Sequence, residues 1–408
     1  MKVLVFAHVP PPHHGQSRMV QYLVDGLRAR VEFGIEVHHV DARLSDDLHD
    51  VGTPRGGKVL RVLRYCAQAL RLRWRHGIRV LYYVPSPPKR APLIRDWLVL
   101  LLLRPWFPRI VLHWEAAGLG DWLETRASMV ERMLTRALFG RPALSVVLAE
   151  SNRNDAKALR SRATRVVPNG IEDPCPDFAR DLAPFRRIRS EVIRRREGEV
   201  QVLFLALCTR DKGLFDALEA IALANAAGSG SAATGEGLRF RLRVAGTFPE
   251  ASVEEAFRER CARPDLRGSV VPIGFLSGDA KEAAWRDADL YLFPTYYANE
   301  GQPVSLLEAM AHGVTAVTTC WRGIPEMLPA NYPGLVKPGD PVELSRRLLA
   351  LADSCEGLRL RQEFESRFTL DRYLEGMAGA LRSLETSVPA AGTPAASGPA
   401  SGGPGTTR

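Results

Sequence analysis

Long apolar runs, closely paired cysteines and, over one stretch, acidic residues are what this 408-residue chain lacks. Its longest apolar run, Trp97 to Leu103, is far below the roughly 18 residues of a membrane-spanning helix, which argues against an integral membrane protein. Six cysteines stand at positions 66, 175, 208, 261, 320 and 355, without the close pairs of a zinc site or a disulfide framework. That usage fits a reducing compartment. Met1 to His8 (MKVLVFAH) is too brief an apolar run for a secretory signal, and no small-residue cleavage site follows, so it reads as a strand and a cytoplasmic protein is expected.

Acids are nearly missing between Val51 and Trp106, where Asp96 faces twelve Lys and Arg, within a chain of net charge +9. The stretch holds RVLRYCAQALRLRWRHG, a basic helix candidate with interleaved Leu, Tyr and Trp, and RDWLVLLLLRPWF, an apolar segment bracketed by arginines and tryptophans. Such a surface can hold anionic lipid headgroups, which would make the protein peripheral at the inner face of a membrane. A solvated arginine-rich face over a Leu-rich core is the plainer alternative. No DNA- or RNA-binding module accompanies the charge, so nucleic acid is not expected as a partner.

With 46% hydrophobic and 25% charged residues the composition is that of a globular protein, long enough for two domains. MKVLVFAH, the turn PPPHHGQ and the amphipathic SRMVQYLVDGLRARV form a βα unit. The runs VLYYV, RIVLHW and LSVVLAE follow, and RVVPNGI closes the series with a turn. After a polar and basic stretch, Asp173 to Gly198, the pattern restarts with VQVLFLAL, LRFRLRVAG, GSVVPIGF, ADLYLFP and TAVTT. The fold class expected is therefore α/β, two Rossmann-like doubly wound domains facing across a cleft. The expected boundaries are 1–180, 181–352, C-terminal helices over 353–386 packing back on the first domain, and a disordered tail over 387–408 built from Pro, Ala, Gly, Ser and Thr.

One stretch concentrates chemistry. Asn299 to Glu326, NEGQPVSLLEAMAHGVTAVTTCWRGIPE, puts Glu300 in a loop and Glu308 on a helix opened by Pro303 and closed by Gly313. The N–H groups of Val304, Ser305 and Leu306 are expected to be unpaired at that helix start and to favour an anion such as a diphosphate. Two glutamates eight positions apart are common by themselves; the ordered context of strand, acidic loop, helix, strand and GIPE turn is what distinguishes them. The stretch resembles the signature of retaining glycosyltransferases of family 4, with Glu, seven residues, Glu inside a segment like EGFGLVLLEAMACGLPVV followed by GGIPE.

The resemblance covers most of residues 1 to 385 and implies the two-domain GT-B arrangement. It also implies that Glu300 faces the donor sugar, that Glu308 accepts from the nucleotide ribose, and that main-chain amides of Gly301, Gln302, Pro303, Val304 and Ser305 line sugar and phosphate. Lys212, with Gly213, matches the family's basic phosphate loop after the first strand of the second domain. Ala206, Leu207 and Cys208 stand where a Gly-Arg pair is common, and Arg210 is the stand-in; an exposed charged turn would be the plainer reading of RDKG alone, but its position after a strand and its agreement with the acidic motif reverse that preference. In the first βα loop Gly15 and Gln16 occupy the place of a glycine-rich loop. His13 and His14 there have no ligand at partner spacing, so no metal is expected. LHWEAAG matches a family pattern like LHLHAAG, with His113 kept and Glu115 in the second histidine position. A carboxylate there could bind the donor or act as a base, while a buried structural His113 and a rim Glu115 are equally open. Asn169 and Gly170, in VVPNGI, match a Pro-Asn-Gly element assigned to structure first.

What this implies is a hexosyltransferase, independent of metal and cofactor, that moves a sugar with retention from a UDP- or GDP-linked donor to a glycan or lipid-linked acceptor, as in cell-envelope polysaccharide assembly. A sugar-nucleotide epimerase on the same fold and a non-catalytic sugar-nucleotide-binding subunit remain the alternatives.

Overall fold

The computed structural model describes residues 1–11, 15–43, 56–196, 198–228 and 237–386. The expected tail at 387–408 and the histidines at 13 and 14 lie outside the described residues.

Six strands build the first sheet: β1 (Lys2–Ala7), β2 (Glu36–Asp41), β3 (Val80–Tyr83), β4 (Arg109–Trp114), β5 (Leu144–Val147) and β6 (Thr164–Val166). All pair in parallel, in the order β2-β1-β3-β4-β5-β6. Parallel strands are covered on both faces, which is why the inner ones are continuous apolar runs. Helix α1 (Gly15–Ala29) lies on one face; α2 (Gly56–His76), α3 (Arg90–Leu103) and, beyond the short α4 (Leu119–Thr125), α5 (Met129–Phe139) cover the other. Helix α6 (Arg153–Ala158) packs on α4 at the carboxyl end of the sheet, where the Asp155 carboxylate accepts from the Gly118 and Gly120 N–H groups.

The chain then passes to the second domain through Pro168-Asn169-Gly170. Helices α7 (Phe178–Asp181) and α8 (Ala183–Arg194) already belong to that domain, since the buried Arg186 guanidinium of α8 donates to the carbonyls of His312, Trp285 and Ala288.

The second sheet contains β7 (Glu199–Leu205), β8 (Arg239–Ala245), β9 (Val270–Gly274), β10 (Leu290–Phe293), β11 (Thr315–Thr319) and β12 (Leu335–Val336). Its order is β12-β11-β10-β7-β8-β9, again parallel throughout. Helices α9 (Leu214–Gly228), α10 (Ala251–Cys261) and α14 (Pro341–Leu351) pack on one face, and α11 (Gly278–Asp287), α12 (Val304–Ala311), α13 (Ile324–Met327) and α15 (Glu356–Arg367) on the other. Both sheets are thus doubly wound, as the alternation of strand and helix signals predicts.

The return crossing lies beside the first. Ile171 pairs in parallel with Thr369, its N–H donating to the Phe368 carbonyl (3.0 Å) and its carbonyl accepting from Leu370 N–H (2.7 Å). Helix α16 (Leu370–Thr386) follows this crossing and packs on α1 and the first core, with Leu374 seated on Gly26. Helix α15 precedes it, and Leu360 and Phe364 are buried in the second core with Met310 and Ala311. Of the C-terminal helices expected to pack back on the first domain, only α16 does so. All six cysteines are free thiols.

Candidate active site

In the second sheet β7 and β10 are neighbours whose following segments run to opposite faces, α9 on one and α12 on the other. This switch point opens a crevice at the carboxyl ends of the strands, the position where doubly wound sheets bind ligands. Lys212 enters it from the loop after β7 and Glu300 from the loop after β10. Their charged groups meet, with Nζ 2.6 Å from Oε2. Thr295 donates its hydroxyl to the same carboxylate oxygen (3.0 Å), and the Tyr297 ring lies 4.7 Å from Nζ. Gly213 allows this approach: it has φ +78°, and a Cβ on it would stand 2.1 Å from the Pro294 carbonyl oxygen. Arg210 is in the same loop but is exposed, and its guanidinium lies over the Phe215 ring at 4.4 Å. The structure does not bring it to Lys212 and Glu300.

Helix α12 begins at the crevice with Pro303 as N-cap. The expectation of three unpaired N–H groups there is corrected at one of them, because Leu306 N–H donates to the Pro303 carbonyl at 3.1 Å. The first turn tightens to satisfy it, which leaves Val304 and Ser305 N–H as the donors aimed out of the helix. Ser305 Oγ accepts from Tyr291 OH (2.7 Å). Glu308 stands one turn further on, 2.6 Å from Lys281 Nζ and 3.3 Å from Trp285 Nε1, both on α11. Across the gap is Gly15 at the start of α1, where a Cβ would lie only 3.3 Å from Val304 Cγ2. Gln16 follows it, half-buried. The first residues of α1 and α12, one helix from each domain, therefore lie against each other, and a helix start is a favourable setting for a phosphate.

The carboxyl end of β4 supplies the opposite wall. His113 is buried, with Nδ1 bonded to Tyr82 OH, and burial pulls its pKa down to about 3. The Glu115 side chain is only 6% exposed, which corrects its reading as a rim residue. Burial pushes its carboxyl up to about 7, against the lowering effect of the hydrogen bond from Asn169 Nδ2 to Oε2 (3.0 Å). Oε1 has no hydrogen-bond partner among the described residues and stands 3.7 Å from His113 Nε2. That contact is not an ion pair, since low polarity drives both groups toward their neutral forms.

The Gln302 side chain turns to the domain crossing, where its Oε1 accepts the Asn169 N–H at 2.6 Å. Gly301 lies against the Glu115 carbonyl oxygen so closely that a Cβ would be 2.1 Å from it. Further contacts close this end of the cleft. Asn299 Nδ2 donates to Ala117 O (3.0 Å), Arg322 Nη1 pairs with Asp121 Oδ2 (2.6 Å), and Glu326 of the GIPE turn accepts the N–H groups of Glu150 and Ser151 (2.6 and 2.8 Å).

Lys281, Trp285, Thr295, Tyr297 and the side-chain role of Asn169 are absent from the sequence-based candidates. Lys281 stands 27 positions from Glu308 and no motif surrounds it. Only the packing of α11 beside α12 brings them together. Among the described residues, the group of His and acidic side chains close enough to share an ion is Glu36, His38 and His76. It lies at the amino end of the first sheet, away from the cleft.

Comparison with known proteins bears on the second domain most directly. A family model described as glycosyl transferases group 1 matches residues 199–354. The putative colanic acid biosynthesis glycosyltransferase WcaL of Salmonella typhimurium is 29% identical over 196 residues, 45% of this chain and 45% of that protein. The amylovoran biosynthesis glycosyltransferase AmsK of Erwinia amylovora is 30% identical over 158 residues, 38% of this chain and 36% of its own length. The chain thus matches less than half the length of these curated relatives. Among solved structures, HepE of Anabaena in complex with UDP-glucose superposes with a TM-score of 0.62 at 15% identity, over 93% of this chain and 99% of that one. The whole two-domain architecture is therefore shared with solved structures of the GT-B fold, and residues 199–354 match the model of the glycosyl transferases group 1 family.

Proposed function

We propose that the protein is a retaining glycosyltransferase of family 4 that moves a hexose from a nucleotide-diphosphate sugar to an acceptor held by the first domain, in the assembly of a cell-envelope polysaccharide. The relatives' names point to polysaccharide assembly, and HepE was solved with UDP-glucose. The observation that carries the reading is the Lys212–Glu300 pair at the switch point, beside the adjoining starts of α1 and α12. A diphosphate entering this space takes Lys212 as its counter-charge and the Val304 and Ser305 N–H groups as donors, and Glu300 is released toward the sugar hydroxyls. Glu308 receives the ribose. The bond from the anomeric carbon to the diphosphate oxygen breaks, a bond to the acceptor oxygen forms on the same face, and the acceptor's proton leaves on the departing diphosphate. Charge is neutralised by side chains and helix ends, so the step proceeds without a metal ion.

The acceptor side is basic and apolar together. Among the described residues no helix is long and apolar enough to cross a membrane. Exposed Leu60, Leu63 and Trp74 on α2, Ile94 and Leu101 on α3, and Met129, Val130 and Met133 on α5 share the outer layer of one sheet face with Arg64, Arg71 and Arg136. We read this face as a contact with an anionic bilayer from the cytoplasmic side.

The experiment is a thermal-shift panel of UDP- and GDP-sugars on the full chain, followed by product analysis with the stabilising donor. A ligand at a hundred times its Kd stabilises by about 2.7 kcal/mol, which such a panel detects. Release of nucleoside diphosphate only with acceptor, and an unchanged anomeric configuration, are expected. Conversion of the donor without nucleotide release would mean an epimerase instead. Failure to float with anionic liposomes would remove the bilayer contact alone.

A further inference from the structure

At the amino end of the first sheet, away from the cleft, Glu36, His38 and His76 bring one carboxylate oxygen and two ring nitrogens within 4.8 Å of one another. We propose that these three side chains bind a zinc-class divalent transition-metal ion, which clamps the end of α2 to the start of β2; the site is separate from the transferase reading above and does not depend on it. Glu36 and His38 are two positions apart on a strand and so share its face, the one that also carries Val40 under α2. His39 takes the other face, where its Nε2 is bonded to the Ala7 carbonyl (2.8 Å). Helix α2 follows β2 and runs back along it, so its last residue, His76, arrives over the start of the strand. The His38 and His76 rings lie 4.3 Å apart between centroids, and His38 Nε2 stands 2.7 Å from Glu36 Oε1.

Zinc takes imidazole nitrogen and carboxylate oxygen at about 2.0–2.2 Å, which sets neighbouring ligand atoms of a tetrahedral shell about 3.4 Å apart. Glu36 and His38 need to part by less than about 1 Å from their hydrogen-bonded spacing to meet it, and the Glu36 side chain, 51% exposed, has room to turn. Two imidazoles and one carboxylate are a known three-residue zinc set, with the fourth position left to water. The surrounding charge selects the kind of ion. His76 feels Arg75 and Lys2 on the positive side and Glu36 on the negative. Magnesium and calcium, held by oxygen ligands and negative charge, find little here, whereas an ion bound through imidazole nitrogen depends less on carboxylates. Lys2 Nζ, 3.4 Å from Glu36 Oε2, takes the outer place from which a neighbour orients a ligating carboxylate. The carboxyl end of the 21-residue α2 adds a helix dipole that favours a cation. Residues 44–55 join the opposite ends of β2 and α2, and residues 387–408 contain no His, Cys, Asp or Glu.

The test titrates the untagged full chain with zinc chloride and with magnesium chloride by calorimetry, for the wild type, H38A, H76A, H76C and H39Q, and follows thermal unfolding of each with and without zinc. The wild type should bind zinc at least about a hundredfold more tightly than magnesium and unfold at a higher temperature when zinc is present. H38A and H76A should each bind zinc at least about tenfold more weakly, since even an outer-shell partner is worth that much, and lose the zinc-dependent shift in unfolding temperature. H39Q, altered on the other face of the strand, should keep both. An unfolding temperature of H76A without zinc that matches the wild type shows that the variant is folded, and H76C, which restores a zinc ligand, should regain the ion. Unchanged zinc affinity in H38A and H76A, or a wild type that binds magnesium as tightly as zinc, would overturn the proposal and leave a surface hydrogen bond between His38 and Glu36. Failure of H76C to regain zinc would also overturn it, because the ring would then act by packing rather than by ligation.

Discussion

Lys212 and Glu300, 88 positions apart in sequence, hold each other 2.6 Å apart at the switch point of the second sheet, each largely buried. In the proposed transferase the pair occupies the donor site, and in the structure the two side chains compensate each other's charges.

Removing one partner strands the other. Lys212→Ala is expected to lower stability by about 2 kcal/mol, because a nearly buried carboxylate loses its cation, and to weaken sugar-nucleotide binding at least about tenfold. Lys212→Ala combined with Glu300→Gln should regain much of the stability but none of the binding. Denaturant titration of both singles and the double gives the coupling energy; a coupling near zero would show that the pair does not act as a unit.

Glu308 is assigned to the ribose rather than to the phosphates. Glu308→Ala should weaken UDP binding by about tenfold, the worth of a hydrogen bond to a charged group, and leave the affinity for a hexose 1-phosphate unchanged. Equal losses for both ligands in a binding titration would contradict the assignment. Lys281→Ala should reproduce a fraction of the effect by freeing the carboxylate to turn away.

Glu115 makes stability depend on pH. Its carboxyl, ordinarily near 4.5, is pushed up to about 7 by burial. Between those values the folded protein holds a proton that the unfolded chain does not, so this contribution is full below about 4.5, declines as pH rises, and is gone above about 7. Glu115→Gln abolishes the titration. Its stability relative to wild type should therefore rise between pH 5 and pH 8, on the order of 2 kcal/mol. A pH-independent difference in unfolding free energy would refute the assignment. His113 acts oppositely, since burial holds it near 3 and it opposes folding as the pH falls below about 6.5.

Gly301 sits between domains. Gly301→Ala would put a methyl group 2.1 Å from the Glu115 carbonyl oxygen, which belongs to the other domain, so opening the cleft relieves the clash at little cost to either core. Transfer should fall by about a hundredfold through lost alignment, with stability changed by less than about 1 kcal/mol. Small-angle scattering should report a larger radius of gyration. Wild-type transfer by this variant would show that the closed contact is not needed.

The strand-helix alternation was legible because buried parallel strands must be apolar runs, and ten of the twelve strands lie in or beside the segments read that way. The exceptions have physical reasons. β2 (EVHHVD) is an edge strand whose ends are acidic and whose middle is two histidines, and β12 spans two residues. Glu300, Glu308, Lys212 and Gly15 were visible because a helix start, a tight turn and a close approach each demand particular residues at short spacing. Arg210 looked equivalent to Lys212 from the loop alone, yet Phe215 one helical turn on offers it a ring to cover.

Local sequence, then, determined which segments became strands, which loops follow them and which residue types stand at the carboxyl ends, because backbone hydrogen bonding and burial act over a few residues. Tertiary structure alone decided the partners. It set Lys281 against Glu308 and Asn169 against Glu115 and Gln302, it buried the Glu115 carboxyl, and it kept α15 with the second domain while sending α16 to the first. Distances between groups on different elements depend on how whole sheets and helices pack, and no spacing along the chain encodes them.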